Sequence, residues 1–347
     1  MNEMTQKRID IRWRWLLGLF VAVTTLLFGI HASADGLAFS VQPVLPTQQV
    51  NQKVTYFDLK MNPSEKTTLI VNVHNNKKTP LHLSAGLAQA TTNLNGVVEY
   101  GQNKQQLDKR VPAKFAKVVA LPKKPITIDP NGDGQVRMQV TMPKQRFNGQ
   151  LAGGLTLSDA DANANTASPN KRQAVAIQNQ YQFVVAIVLR NNIAKVTPKL
   201  SLGTVKPGQV NARNVVNGAI HNETATFINQ LKVTGEVSRV GSKTALYTTK
   251  QVGYQLSPNA IMQFPVWLKD RSLSAGHYKL TVTAVSQKRR WQFSKTFKVT
   301  GQKAQQLNQS SVEVKPDNTW RNIAIGAGSG ATILAGLLAW AVIRRRH

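Results

Sequence analysis

The sequence predicts an all-β ectodomain of two tandem immunoglobulin-like β-sandwiches, followed by one C-terminal transmembrane helix. Three observations carry this expectation: short alternating strand patterns at intervals of about ten to fifteen residues, Gly/Asn/Pro punctuation between them, and two apolar runs that bracket the chain. The first run, Trp15 to Ile30, follows Lys7, Arg8, Arg12 and Arg14 and ends at Ala32-Ser33-Ala34, a pattern that signal peptidase accepts. The second, Ile323 to Ile343, carries no charge, and its 21 residues at about 1.5 Å rise reach roughly 31 Å, enough for a bilayer core. Arg344, Arg345 and Arg346 follow it and place that end in the cytoplasm.

The strands are justified in chain order. Phe39–Val44 and Val54–Leu59 read as short extended pieces. Leu69–His74 alternates, with Leu69, Val71 and Val73 on one face, and stops at the turn residues Asn75-Asn76. Leu81–Ala85 follows as a partner strand, Asn93–Gly96 is another turn, and Val97 and Val98 restart an extended run. Gln102–Phe115 suits a short helix or a loop. Ile126–Asp129 and Val136–Met142 alternate on either side of Pro130–Gly134. Small polar residues over Asp159–Asn170 read as a mobile hairpin loop within the first domain, because the apolar run Gln182–Leu189 completes a strand beyond it. That run is expected at the centre of a sheet. In the second half, Val215–Ile220, Leu231–Val237, Ala245–Thr248, Gln263–Leu268, Tyr278–Val285 and Trp291–Val299 repeat the style. The expected division is a signal peptide over 1–34, a first sandwich over 35–192 and a second over 193–301. A polar stalk over 302–321, a transmembrane helix over 322–343 and a basic tail over 344–347 complete it.

Composition narrows the class. The chain holds 44 Lys and Arg against 16 Asp and Glu, a net charge of +28, and no cysteine. Setting aside the leader and the tail leaves 37 basic and 14 acidic residues, so the excess belongs to the ectodomain. On a cytoplasmic protein this balance points first to nucleic acid. An exported chain meets teichoic-acid phosphates and peptidoglycan carboxylates instead, and no nucleic-acid partner is expected. Two readings of the charge stand side by side: attraction to anionic wall polymer, or a solubility setting common to a basic surface proteome. An exported ectodomain without disulfides fits a Gram-positive surface.

The residues hold no recognisable catalytic, cofactor-binding or metal-binding set. Absent cysteine excludes thiol peptidase and transpeptidase chemistry. Glycosidase action needs two carboxylates flanking a bond, whereas Asp58, Glu65, Glu99, Asp108, Glu223, Glu236 and Asp270 are scattered. His74, His82, His221 and His277 lack zinc-site spacing and read as exposed polar surface. Asp129-Pro-Asn-Gly-Asp-Gly134 begins like a calcium loop, but the twelfth position is Val140, and a tight turn explains the same letters. Gly326 and Gly330 form a small-residue face on the expected membrane helix that can pack on another helix. The four-residue inner tail is too short for a signalling module. Binding, through loops or a lent edge strand, is the default activity.

The ectodomain resembles the WxL-interacting proteins of Gram-positive bacteria. The resemblance rests on Tyr56–Lys60, Thr68–Val73, Asn75-Asn76, Ala90–Tyr100 and Gly153-Gly154 in the first half. In the second it rests on Thr226–Leu231, Gly276–Leu280 and Trp291–Phe293. It implies that the first domain binds peptidoglycan, that the second binds host or matrix components, and that separate WxL-domain proteins are partners. The expected function is a non-enzymatic, membrane-anchored surface adaptor, with an adhesin as the alternative and an envelope hydrolase as a distant third.

Overall fold

The computed structural model describes residues 37–103, 105–122, 124–161 and 181–314. The signal peptide, most of the loop expected over Asp159–Asn170, the transmembrane helix and the basic tail lie outside these residues. No helix among them is long and apolar enough to cross a membrane.

The fold is all-β. The first half forms β1 (Phe39–Val44), β2 (Phe57–Lys60), β3 (Lys66–Asn75), β4 (Leu81–Gln89), β5 (Thr91–Thr92) and β6 (Val98–Glu99). A one-turn helix, α1 (Phe115–Val118), leads into β7 (Val119–Ala120), β8 (Ile126–Ile128), β9 (Asp133–Thr141), β10 (Leu151–Asp159) and β11 (Gln182–Arg190). One sheet runs β1-β3-β9-β7 and the facing sheet β2-β11-β10-β4-β8, with β5-β6 a separate hairpin. Alternation sends Leu69, Val71 and Val73 of β3 and Val136, Met138 and Val140 of β9 inward. There they meet Leu155 and Leu157 of β10 and Ile187 and Leu189 of β11, giving one core between two sheets.

The second half forms β12 (Leu200–Val210), β13 (Arg213–Asn222), β14 (Ile228–Arg239), β15 (Tyr247–Leu256), β16 (Ile261–Trp267), β17 (Gly276–Ser286) and β18 (Arg289–Val299), closed by α2 (Gly301–Gln309). Its sheets run β12-β13-β16 and β15-β14-β17-β18 around a separate core that includes Val233, Val237, Phe264, Leu280 and Val282. Pro43, Pro207 and Pro265, which cannot donate to a ladder, all lie in edge strands. The Tyr278 hydroxyl donates to the Ser274 carbonyl at 2.8 Å, and its ring stacks on Phe297, a corner typical of immunoglobulin-like sandwiches.

Two strands differ from the sequence reading. The centre of the five-stranded sheet is β10, while β11 lies one place further out beside β2. β10 is disguised by Gly153 and Gly154, yet both glycines are demanded by packing. A Cβ on Gly153 would stand 2.5 Å from the Phe115 ring on the inner face, and one on Gly154 would stand 2.6 Å from Tyr100 Cβ on the outer face. β12 is likewise masked by Gly203, Pro207, Gly208 and a register shift between Leu202 and Val205. The residues that open the expected polar stalk form α2, capped by Thr300 and seated on the second core through Ala304 and Leu307.

Both sandwiches cross from one sheet to the other by the same device. Asn75, at the end of β3, donates through Nδ2 to the carbonyls of Thr79, Ile128 and Asp129 and accepts from Lys77 N. Asn222, at the end of β13, donates to the carbonyls of Thr226 and Ser257 and accepts from Thr224 N. Both asparagines are fully buried, so each stands in for ladder bonds lost where the chain leaves its sheet. Asn75→Ala or Asn222→Ala strands these carbonyls and is expected to cost about 2 kcal/mol or more. The exposed Asn76→Ala should cost less than about 1 kcal/mol; urea denaturation midpoints compare the three.

Candidate binding faces and the junction that orients them

Residues 90–97 and 107–110 lie against the second sandwich, while Tyr100 and Gln102 between them lie on the first. The β5-β6 turn is shaped by Asn93, whose Oδ1 accepts from Asn95 N and Val97 N, and by Gly96 at φ +70°. A Cβ on Gly96 would fall 2.0 Å from the Tyr254 ring, so glycine serves both the turn and the contact. Gln255 N donates to Gly96 O at 2.7 Å, Ser257 N to Thr92 Oγ1 at 2.9 Å and Ser257 Oγ to Ala90 O at 3.1 Å. Gln150 N donates to Ala225 O at 2.6 Å. A small apolar cluster of Ala90, Ala152 and Val188, with Val98, Tyr100 and Phe227 against it, fills the seam.

An ionic group pins the far end of this segment. Asp108 is only 3% exposed. Its backbone N–H donates to Asn259 O, and its carboxylate accepts from His221 Nδ1 at 2.9 Å and Arg110 Nη1 at 2.9 Å. Arg110 reaches on to Glu223 at 3.3 Å. Burial alone would raise the Asp108 carboxyl. Hydrogen bonds from His221 and from the backbone and side chain of Arg110, with the Arg110 charge, outweigh burial and hold it below its ordinary 3.8. Gly203, in the irregular part of β12, leaves room for the His221 ring; a Cβ there would stand 2.3 Å from Nε2.

The fold thus brings together Asp108, His221 and Glu223, which the sequence presents as scattered. Its two carboxylates share Arg110, an arrangement that ties residues of the first domain to the second. Asp58 pairs with Arg190 inside the first sandwich, and His82 pairs with Asp161. Glu236 and Asp270 form no ion pair among the described residues. Asp129–Gly132 closes as a turn, Gly132 N donating to Asp129 O at 3.0 Å.

Two broad sheet faces remain open. The outer face of β2-β11-β10-β4-β8 is covered in its middle by the chain itself, since Tyr100 lies on Gly154 and Gln102 on Gly86. Burial, with a contribution from Tyr56, pushes the Tyr100 phenol up. The outer face of β1-β3-β9 carries no such cover among the described residues. Register sets Ser40, His74 and Asp133 in one row, Gln42, Asn72 and Gln135 in the next, and Thr68 opposite Gln139 further along. His74 Nδ1 meets Asp133 at 2.8 Å, Gln135 Nε2 donates to Asn72 Oδ1 at 3.0 Å, and Arg137 donates to Gln135 Oε1 at 2.7 Å. Ser40, Gln42, Asn72, His74, Asp133 and Gln135 line a shallow depression of about 820 Å³. The Ser-His-Asp row superficially resembles an acyl-transfer triad. However, Asp133 is 87% solvent-exposed and Ser40 makes no hydrogen bond to His74, so the row lacks a desolvated, coupled nucleophile. Its chemistry is that of a ladder of amides and hydroxyls, donors and acceptors together, suited to sugar hydroxyls and amides. The second open face, on β15-β14-β17-β18, is basic.

The chain belongs to the WxL-interacting protein family. The family's peptidoglycan binding domain matches residues 39–159 and its host binding domain residues 172–309. The second match begins before β11, a strand that pairs within the first sandwich. No curated protein matches the chain. Among solved structures it is similar to the Pseudomonas aeruginosa CupB2 chaperone, at 13% identity over 69% of this chain and 96% of that one, TM-score 0.26. The E. coli chaperone DraB is similar at 11% identity, over 74% and 96%, TM-score 0.26. A chaperone–tip adhesin complex of CFA/I fimbriae is similar at 7%, over 76% and 99%, TM-score 0.31. At these scores the likenesses carry no argument about this chain.

Asp108→Asn keeps the shape and removes the charge that balances His221 and Arg110, and is expected to cost about 2 kcal/mol at neutral pH. Because the folded-state value is depressed, this stabilisation is fully present above about 3.8 and fades as pH falls through the lower folded value. Calorimetric melting temperatures of wild type and Asp108→Asn should therefore converge in strong acid.

Proposed function

We propose that this chain is an exported, membrane-anchored, non-enzymatic adaptor at a Gram-positive surface. In this reading the first sandwich holds cell-wall peptidoglycan and the second engages a partner, a WxL-domain protein being the first expectation. The match of residues 39–159 to the peptidoglycan binding domain carries the reading, and the amide ladder on β1-β3-β9 supplies the chemistry for it. Glycan strands present hydroxyls and acetamido groups, which Gln42, Asn72 and Gln135 complement in both hydrogen-bonding senses. Each contact is weak and water-exposed, so affinity would come from repetition along the polymer and from confinement at a surface.

The spacing of the anchor supports this order of layers. α2 is fixed to the second sandwich, and only residues 315–321 separate its last described neighbour, Val314, from the expected span at 322–343. Seven residues reach at most about 25 Å, which would keep the second sandwich beside the membrane and hold the first outward, toward the wall. A second reading, an adhesin for host matrix proteins, is favoured by the match of residues 172–309 to the host binding domain.

The full-length protein is expected to co-sediment with purified peptidoglycan sacculi. The triple change Gln42→Ala, Asn72→Ala, Gln135→Ala should lower retention by roughly tenfold without altering the melting temperature. Retention unchanged in that variant would remove β1-β3-β9 as the wall-binding face.

A further inference from the structure

The outer face of β15-β14-β17-β18 gathers five cations from four strands. Register places Lys232, Val285 and Arg290 in one row and Lys250, Thr234, Thr283 and Gln292 in the next. Thr248, Glu236, Thr281 and Ser294 form the third, with Lys279 and then Lys298 beyond. Lys232, Lys250, Arg290 and Lys298 are exposed and Lys279 is half-buried. None of the five forms an ion pair among the described residues. Glu236 is the single acidic residue against them. Between the cations lie hydroxyls and an amide, with Thr281 and Ser294 bonded to each other at 3.0 Å.

What the face lacks is equally informative. Its aromatic neighbours Trp291 and Phe293 have the opposite parity on β18 and pack toward the core. No aromatic platform is left for stacking nucleobases. Its apolar side chains are aliphatic, half-buried Val285 between Lys232 and Arg290 and exposed Val252 two residues along β15 from Lys250, with no aromatic anchor for a protein hot spot. Four of the five cations are lysines, point charges suited to single anionic groups more than to bidentate forks. Successive rows on one face of a sheet are about 6.8 Å apart, and four of the five rows carry a cation. A chain of polyol units joined by phosphodiesters presents one negative charge per unit at a comparable interval, with hydroxyls between.

We propose that this face binds a linear polyol-phosphate polymer laid along the strands. Lys232 and Arg290 grip one end of the contact and Lys279 and Lys298 the other. The threonine and serine hydroxyls meet polyol hydroxyls in the middle. Glu236 opposes binding and limits its strength. The contact uses the second sandwich, so it stands or falls separately from glycan binding by the first.

The test titrates the full-length chain in detergent micelles with synthetic poly(glycerol phosphate) by calorimetry. The triple change Lys232→Gln, Lys250→Gln, Arg290→Gln should weaken binding by roughly tenfold, from three exposed ion contacts. Its retention on peptidoglycan sacculi should be unchanged. Glu236→Gln should tighten binding, an outcome that damage to the fold would not give. A control that removes equal charge from the first sandwich, Lys53→Gln, Lys78→Gln, Lys144→Gln, should change affinity less than about threefold. The proposal is overturned if the control loses as much as the triple change, if Glu236→Gln weakens binding, or if heparin binds and poly(glycerol phosphate) does not.

Discussion

A buried carboxylate at the seam between the sandwiches fixes the geometry on which everything else depends. Asp108 belongs to the first domain by sequence but is satisfied by His221 of the second, by Arg110 beside it and by the Asn259 backbone. An ionised carboxylate with so little contact with water is tolerated only when its lone pairs are filled. The segment that carries it therefore has one place to sit. The hairpin before it is held as tightly, with Gly96 pressed on the Tyr254 ring and Ser257 bonded to Thr92 and Ala90. Because the connection is this clasp, in addition to the covalent linker after Arg190, the two sandwiches are expected to move as one body.

The clasp also decides which surfaces are left to bind. By lying across β10 and β4 it spends the outer face of the five-stranded sheet, which is why Gly86 and Gly154 must stay small. The opposite sheet of the first sandwich keeps its amide ladder in solvent, and the outer sheet of the second keeps its cations. The two faces differ in chemistry: the first offers neutral donors and acceptors, the second offers charge and hydroxyls. A junction that held them at a constant angle would let the two proposed ligands be engaged together without an entropic cost for orienting one domain on the other.

The sequence made the strands legible and the junction illegible. β1, β3, β9, β14, β17 and β18 announce themselves by alternation, because one face of each is dry and the other wet. β10 does not, since close packing on both sides replaces side chains with glycine, and β12 does not, since an irregular edge strand tolerates proline and glycine. The pairing of Asp108 with His221 spans 113 residues, and no local pattern encodes it. One signal was readable: His74-Asn75 with Thr79 and His221-Asn222 with Thr226 repeat the same letters at the same spacing, and both asparagines make the same crossing. That repeat identifies His221 as standing at a structured corner. The amide ladder needed register, because Gln42, Asn72 and Gln135 become neighbours only across three strands.

The most direct measurement is the distance distribution between spin labels placed on exposed positions of the two sandwiches, Lys144 and Lys250, by double electron–electron resonance on the full-length protein. The account predicts one narrow distribution in the wild type, broadened when Gly96→Val and Asp108→Ala are introduced together. A broad or multimodal distribution in the wild type would contradict the claim that a buried clasp makes the two sandwiches a single rigid body.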